Sequence, residues 1–217
     1  MIRTRARRLA AVAALALAAV LGPVATTPAA AAPVEMPEPP SADAARTELA
    51  DLTVEAPHSM DGYSRAKFPH WIQQGNKCDT REIVLKRDGQ DVTQDDQCRA
   101  VSGTWLSHYD EKSLTAASQV DIDHMVPLAN AWRSGADSWT TARRTEFAND
   151  LQHSQLIAVS ASSNRSKGDQ SPDQWSPPNR DYWCTYARAW TDVKHLYQLS
   201  VTQPEADQLV TMLDTCA

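Results

Sequence analysis

Residues 120–128, with the sequence V-D-I-D-H-M-V-P-L, carry the side chains best suited to chemistry. Asp121 and Asp123 are two residues apart, so they point to the same face if the segment is a strand. His124 then points to the opposite face, unless the strand ends there. A carboxylate can bind a hard cation, and an imidazole can take a proton from water. The adjacent Asp123-His124 pair therefore offers two groups that would do different work in one site.

A second polar run, A-S-S-N-R-S-K-G-D, occupies residues 161–169, after the apolar run at 156–159. Its Asn164 offers a neutral oxygen ligand, while Arg165 and Lys167 offer positive charge. The two polar runs are separated by about 30 residues. Together they predict a site for an anionic substrate that is built from two separate segments.

The flanking patterns indicate which elements must hold these residues. Residues 119–127 alternate in polarity and predict a strand, and the apolar run at 156–159 predicts a second short one. The polar run after it is expected to begin a helix at Ser162 or Ser163. Between the strands, residues 128–151 predict a helix that is interrupted at Ser134-Gly135.

The order of strand with Asp-His, loop, second strand and Asn-bearing helix is that of the ββα-metal endonuclease superfamily, and the sequence resembles its HNH branch. The runs V-D-I-D-H-M-V-P and N-R-S-K-G-D resemble those in the HNH domains of RNA-guided bacterial nucleases. The wider pattern is similar to that of secreted bacterial HNH-type endonucleases. It adds C-D-T-R at 78–81, a Trp-containing helix at 129–132 and F-A-N-D-L at 147–151.

The resemblance implies a mechanism for phosphodiester hydrolysis. Asp123 and Asn164 would hold one divalent cation, most suitably Mg²⁺, with Mn²⁺ or Ca²⁺ as alternatives because the ligands are oxygens. His124, as neutral imidazole, would be the general base that activates water. Arg165 and Lys167 would face the phosphate.

The family pattern also places an Asn in the loop, where its backbone holds the base. Asn149 is the candidate, with Gln155 as the rival, and the sequence does not choose between them. Asp121 could support the site or be purely structural. Four other histidines have no such neighbours and are interpreted as structural, namely His70, His108, His153 and His195.

The first 32 residues predict a secretory signal peptide. Four arginines precede an apolar run from Leu9 to Leu21, and small residues follow at 28–32. A transmembrane anchor is the alternative, but this run is shorter than the roughly 20 residues needed to cross a bilayer. We expect the mature protein to be secreted and free of the membrane.

Four cysteines at positions 78, 98, 184 and 216 form no C-x-x-C pair, which argues against a structural zinc site. Disulfides are expected outside the cytosol, and we favour Cys78–Cys98 with Cys184–Cys216 among the three possible pairings. A helix is predicted from the recurrence of Tyr182, Tyr186, Trp190, Val193 and Tyr197. Another is predicted after the capping box Thr202-x-x-Glu205.

These patterns predict an α+β fold: a ββα-metal (HNH) motif within a mostly helical, disulfide-stapled single domain. The nuclease domain is expected to cover residues 63–217. Residues 33–62 form a Pro/Ala-rich N-terminal arm, which we expect to be loosely packed. The chain is expected to be a monomer.

Composition limits how the protein could bind nucleic acid. The 217-residue chain has a net charge of −6, and removing the first 32 residues leaves 17 basic and 27 acidic side chains. Such an acidic protein cannot hold a polyanion by bulk charge, so binding is expected to be weak and salt-sensitive. The sequence shows no recognition helix, zinc finger or repeat that would read base edges, so cleavage is expected to be largely non-specific. The predicted substrate is DNA, with RNA as a further possibility. The alternatives are a phosphodiesterase acting on small substrates and a non-catalytic envelope or binding domain.

Overall fold

The computed structural model describes residues 36–217, so the predicted signal peptide lies outside the described residues. The helices are α1 (Ala42–Asp51), α2 (Thr80–Asp88), α3 (Leu128–Arg133), α4 (Thr141–Ala148), α5 (Ala161–Lys167), α6 (Trp183–Tyr197) and α7 (Gln203–Leu213). The strands are β1 (Gln73–Gly75), β2 (Cys78–Asp79), β3 (Gly89–Gln94), β4 (Ala100–Ser107), β5 (Lys112–Leu114), β6 (Val120–His124) and β7 (Leu156–Ser160). All pairings between these strands are antiparallel. The mixture of helices with antiparallel strands agrees with the predicted α+β class.

The strand pair β6–β7 lies between two apolar clusters and is buried on both faces. Its register pairs Val120 with Ser160 and His124 with Leu156. Alternate residues contribute to two apolar clusters, with Ile157 and Val159 in one and Ile122 and Ala158 in the other. Helix α5 begins immediately after β7, where the Ser160 side chain caps it by accepting from Ser163 N.

Helices α1, α6 and α7 pack together on one side of this strand pair. The helix predicted from the recurrence between Tyr182 and Tyr197 is confirmed as α6, which begins one residue later at Trp183, and all five residues of the pattern are buried. The capping box at Thr202 and Glu205 is also confirmed and opens α7. Glu205 in addition accepts hydrogen bonds from the buried Trp190 indole and the Lys194 ammonium group, which ties α7 to α6.

The arm was expected to be loosely packed, and this is wrong for its described part. Helix α1 buries Ala45 and Leu49 against the main apolar cluster. The Arg188 guanidinium donates to the carbonyls of Pro39 and Pro40, which anchors the segment before α1. The misleading signal was the proline content: the segment before α1 lies outside helices and strands, but its carbonyls are held by Arg188 of α6.

The other side of β6–β7 is covered by α2 and the three-stranded sheet β3-β4-β5. Trp105 is buried there and donates to the Leu85 carbonyl. Arg81 of α2 donates to the carbonyl of Val120, so the C-D-T-R run is attached to the start of β6. The predicted interruption of the helix after 128 is confirmed: α3 ends at Arg133, and Gly135 is left-handed with φ of 117°.

Both disulfides have the favoured pairing, Cys78–Cys98 and Cys184–Cys216. Cα–Cα distances of 5.1 Å and 5.0 Å are ordinary for a bridge. Among residues 36–217, no helix combines the length and apolar character that crossing a membrane requires.

Candidate active site

The end of β6 presents its two acids and its histidine to different surroundings. Asp121 and Asp123 point towards α5, where each contacts a side chain of that helix. His124 instead contacts the loop before β1 and the end of α4. The alternation expected for a strand therefore continues to its last residue.

Asp123 is almost fully buried, with 4% of its surface exposed. Its Oδ2 accepts from the Tyr109 hydroxyl at 2.7 Å and from Lys167 Nζ at 2.5 Å. Burial raises the pKa of Asp123 and lowers the pKa of Lys167, while the attraction between the two charges opposes both shifts. The predicted metal ligand thus already has a cationic partner.

Lys167 does not face a phosphate, and that prediction is wrong. Its side chain is 0% exposed, and the ammonium group donates to the carbonyls of His124 (2.8 Å) and Met125 (2.9 Å) as well as to Asp123. Three aromatic rings lie 5.7–6.0 Å from the ammonium nitrogen, those of Tyr109, Tyr186 and Trp190. Lys167 therefore fixes the carbonyls at the end of β6 from within the core.

Asn164 lies half-buried on α5 and donates its amide to Asp121 Oδ2 at 3.1 Å. The hydrogen-bonding partner of Asn164 is thus Asp121, the other acid of β6, and not Asp123, with which the resemblance implies that Asn164 shares a cation. Arg165, the next residue, is exposed, as expected for a residue that faces solvent or substrate.

His124 is 4% exposed, and its Nε2 lies 3.0 Å from the Ala148 carbonyl oxygen. A carbonyl can only accept, so Nε2 carries the proton. Burial lowers the pKa of His124 to about 3, the Ala148 bond opposes this, and the nearby charge of Arg65 adds to it. The ring is therefore neutral, with its lone pair on Nδ1.

The residue that holds the imidazole through its backbone is Ala148, and not Asn149 or Gln155 as the resemblance had implied. The Asn149 amide makes four hydrogen bonds instead, with Pro69 O, Ile72 N, Thr80 Oγ1 and Thr145 O. Gln155 accepts from Val126 N and donates to Val126 O, so it fixes the segment after His124. Both amides are bracing groups for the two segments that flank the ring.

The loop before β1 supplies contacts that the sequence did not reveal. The Trp71 ring stacks on His124 with centroids 5.4 Å apart, and His70 lies edge-on with its centroid 6.4 Å from the same ring. Trp71 has φ of 57°, an unusual conformation for a bulky residue. The F-P-H-W run at 68–71 could have drawn attention to this loop, but the Ala148 carbonyl leaves no signal in a sequence.

The donor set suits a hard divalent cation. Asp121, Asp123 and Asn164 provide two carboxylates and an amide oxygen, all on the face of β6 that meets α5. Within residues 36–217, no cluster of three or more His, Cys, Asp or Glu side chains is placed to hold a metal. A cation held by few protein oxygens and completed by water and phosphate is the usual situation of Mg²⁺.

Comparison with known proteins adds two findings. A family model described as "GmrSD restriction endonucleases, C-terminal domain" matches residues 79–212, which include every predicted site residue. An "Uncharacterized secreted protein" of Arthroderma benhamiae is 55% identical over 189 residues, covering 86% of this chain and 93% of its own. No solved structure matches this chain. The secreted relative and the two disulfides confirm the predicted secretion.

Proposed function

Because the chain belongs to the family of GmrSD restriction endonuclease C-terminal domains, an HNH-type endonuclease family, we propose that it is a secreted, metal-dependent endonuclease acting on DNA. The ββα-metal motif of this proposal is β6, β7 and α5. We propose RNA as a second substrate and expect cleavage to be largely non-specific. The protein is proposed to act as a monomer.

One observation carries the proposal: a buried, neutral imidazole at the end of β6, fixed by a backbone carbonyl. Because Nε2 donates to Ala148, Nδ1 is the nitrogen that can take a proton from the attacking water. The Trp71 ring on one face of the imidazole restricts its rotation. His124 is therefore assigned as the general base.

Asp121, Asp123 and Asn164 are the proposed ligands of one divalent cation, Mg²⁺ in the first place and Mn²⁺ or Ca²⁺ as alternatives. When bound, such a cation supplies Lewis acidity, which neutralises charge on the phosphate and stabilises the departing oxygen. The ammonium group of Lys167 compensates one of the two carboxylates. The site then carries one net negative charge before a divalent cation binds and one net positive charge afterwards, which favours a phosphate in an otherwise acidic protein.

Plasmid cleavage by the purified secreted protein tests this function. We expect degradation of supercoiled DNA with Mg²⁺ or Mn²⁺ and none with EDTA, and the same assay with single-stranded RNA tests the second substrate. Turnover of a small phosphodiester without plasmid loss would replace the nuclease with a small-substrate phosphodiesterase. Absence of both activities would leave a binding domain.

His124→Ala tests the base in the same assay. Its rate should fall by about 10²–10⁴-fold, because the proton acceptor is lost while the metal ligands remain. The melting temperature, measured in parallel, should show that the variant is folded. Turnover at the wild-type rate would remove His124 from the mechanism.

A further inference from the structure

A group of three residues before β1 reaches the imidazole of His124, whose side chain leaves β6 on the face opposite to that of Asp123. His70 and Trp71 both contact the His124 ring, and they contact each other with centroids 5.3 Å apart. Arg65 extends this group to the surface through His70. None of the three belongs to the proposed cation site.

Two hydrogen bonds fix the orientation and the tautomer of His70. Its Nδ1 lies 2.8 Å from the Phe68 carbonyl oxygen, so Nδ1 carries the proton. Its Nε2 is consequently free to accept, and it does so from Arg65 Nε at 3.3 Å. His70 therefore holds the Arg65 guanidinium by its Nε.

The outer edge of that guanidinium is available. Arg65 is exposed, and within residues 36–217 it takes part in no ion pair. With Nε directed at His70, the two terminal nitrogens remain as a planar pair of donors that matches two phosphate oxygens.

The end of the loop next to Trp71 is anchored by hydrogen bonds, although the backbone of Trp71 itself is strained. Trp71 has a left-handed backbone conformation. The next residue, Ile72, is held by hydrogen bonds at both its N–H and its carbonyl. Ile72 N donates to Asn149 Oδ1, and Ile72 O accepts from Thr80 N. These bonds hold the end of the loop from which His70 and Trp71 contact the His124 ring, and His70 in turn orients Arg65.

We propose that Arg65 binds the non-bridging oxygens of the scissile phosphodiester through its terminal nitrogens, and that His70 is the residue that positions it. This rests on the proposed nuclease function. Arg65 would approach the phosphate from the loop side of the base, opposite to the cation. It would stabilise the charge that develops on the phosphate oxygens as water attacks.

Three variants test Arg65 with a short fluorescent DNA duplex. Arg65→Ala should lower kcat/KM by about 10²–10³-fold, the usual effect of removing one such donor. Arg65→Lys should recover only part of the loss, since a single ammonium group cannot bind two oxygens in parallel. Arg99→Ala is the matched control, because it removes the same charge from a hairpin residue with 72% side-chain exposure and should cleave at the wild-type rate.

Binding of the same duplex in EDTA gives a readout that does not need catalysis. The association constant for the duplex falls as salt is added, and the magnitude of this slope (log K against log salt concentration) should be smaller by about 1 for Arg65→Ala, the amount expected for one lost phosphate contact. Arg99→Ala should leave the slope unchanged.

The positioning role of His70 is tested by a double-mutant cycle. His70→Phe keeps an aromatic ring but loses the acceptor for Arg65, so kcat/KM should fall by about tenfold. In the Arg65→Ala background the same change should have little further effect, because there is no guanidinium left to orient. Additive losses would show that His70 acts on the fold or on His124 and not through Arg65.

The outcomes separate this inference from the nuclease function. If the wild type cleaves and Arg65→Ala stays within twofold of it, the role of Arg65 is refuted while the function stands. If the wild type does not cleave but Arg65→Ala still changes the salt dependence of duplex binding, the nuclease function is refuted and the phosphate contact of Arg65 stands. A wild type that neither cleaves nor binds the duplex refutes both.

Discussion

At the scale of single residues, the two cationic side chains of the N-R-S-K run have opposite situations. Arg165 is exposed on α5, whereas Lys167 is buried two residues later and compensates Asp123. The sequence assigned both to the phosphate, since it shows the type of a side chain and not the direction in which it points. Asn164 and Lys167 are three residues apart on a helix, so both face β6, and Arg165 does not.

Replacing Lys167 measures what this buried charge does. Lys167→Met should lower the free energy of unfolding by about 3–5 kcal/mol, because it leaves the Asp123 carboxylate buried without its counter-ion. Urea unfolding followed by tryptophan fluorescence gives the value. Arg165→Met is the matched control and should change the stability by less than about 0.5 kcal/mol. A Lys167→Met variant of nearly normal stability that binds DNA poorly would restore the phosphate role instead.

At the scale of elements, the seven-residue helix α5 depends on a carboxylate outside it. The Ser160 hydroxyl that caps the helix also donates to Asp110 Oδ2 at 2.8 Å, and Lys112 Nζ lies 2.8 Å from the same oxygen. Burial alone would raise the pKa of Asp110, but hydrogen bonds from Lys112, Ser160 and neighbouring hydroxyls outweigh it and lower the pKa to about 2. Asp110 thereby stabilises the start of the helix that carries Asn164.

This pKa gives α5 a defined dependence on pH. Since the pKa of Asp110 is lower in the folded than in the unfolded chain, its stabilisation is complete above about pH 4 and is lost as the pH falls towards 2. Asp110→Asn should therefore lower the free energy of unfolding by about 1–2 kcal/mol at pH 7 and match the wild type near pH 2. Urea unfolding at several pH values measures this difference. The control Asp61→Asn, at an exposed residue, should have the wild-type free energy of unfolding at every pH. If the difference in unfolding free energy between Asp110→Asn and the wild type did not change with pH, the stabilising role of the Asp110 carboxylate would be contradicted.

The elements that could be predicted are those whose pattern is local. Three such patterns each predict one element: the alternation at 119–127, the recurrence of buried residues from Tyr182 to Tyr197, and the Thr202–Glu205 capping box. The arm and the loop from Arg65 to Trp71 have no such period, because their conformations depend on distant partners. Arg188 holds the arm, and Asn149 holds the loop. A single sequence does not show contacts of that range.

At the scale of the whole molecule, the two disulfides brace regions with different relations to the site. Cys184–Cys216 joins the start of α6 to the end of the chain beyond α7. Cys78–Cys98 joins β2 to the turn between β3 and β4. Cys78 lies two residues before Thr80, whose hydroxyl donates to Asn149 Oδ1, and the same oxygen accepts from the backbone N–H that follows Trp71. Of the two bridges, Cys78–Cys98 is therefore the one that supports the residues around His124.

Removing each bridge should separate stability from activity. Replacing Cys184 and Cys216 by serine should lower the free energy of unfolding by about 2–4 kcal/mol, as loss of a native bridge usually does, while kcat with plasmid DNA stays near the wild-type value. Replacing Cys78 and Cys98 by serine should reduce stability by a similar amount and also lower kcat, because the loop that packs Trp71 on His124 is released. Urea unfolding and plasmid cleavage at 20 °C, where both variants should remain folded, give the two quantities. Equal activity in the two variants would show that the loop is held by its hydrogen bonds alone, with Asn149 and not the disulfide as the decisive brace.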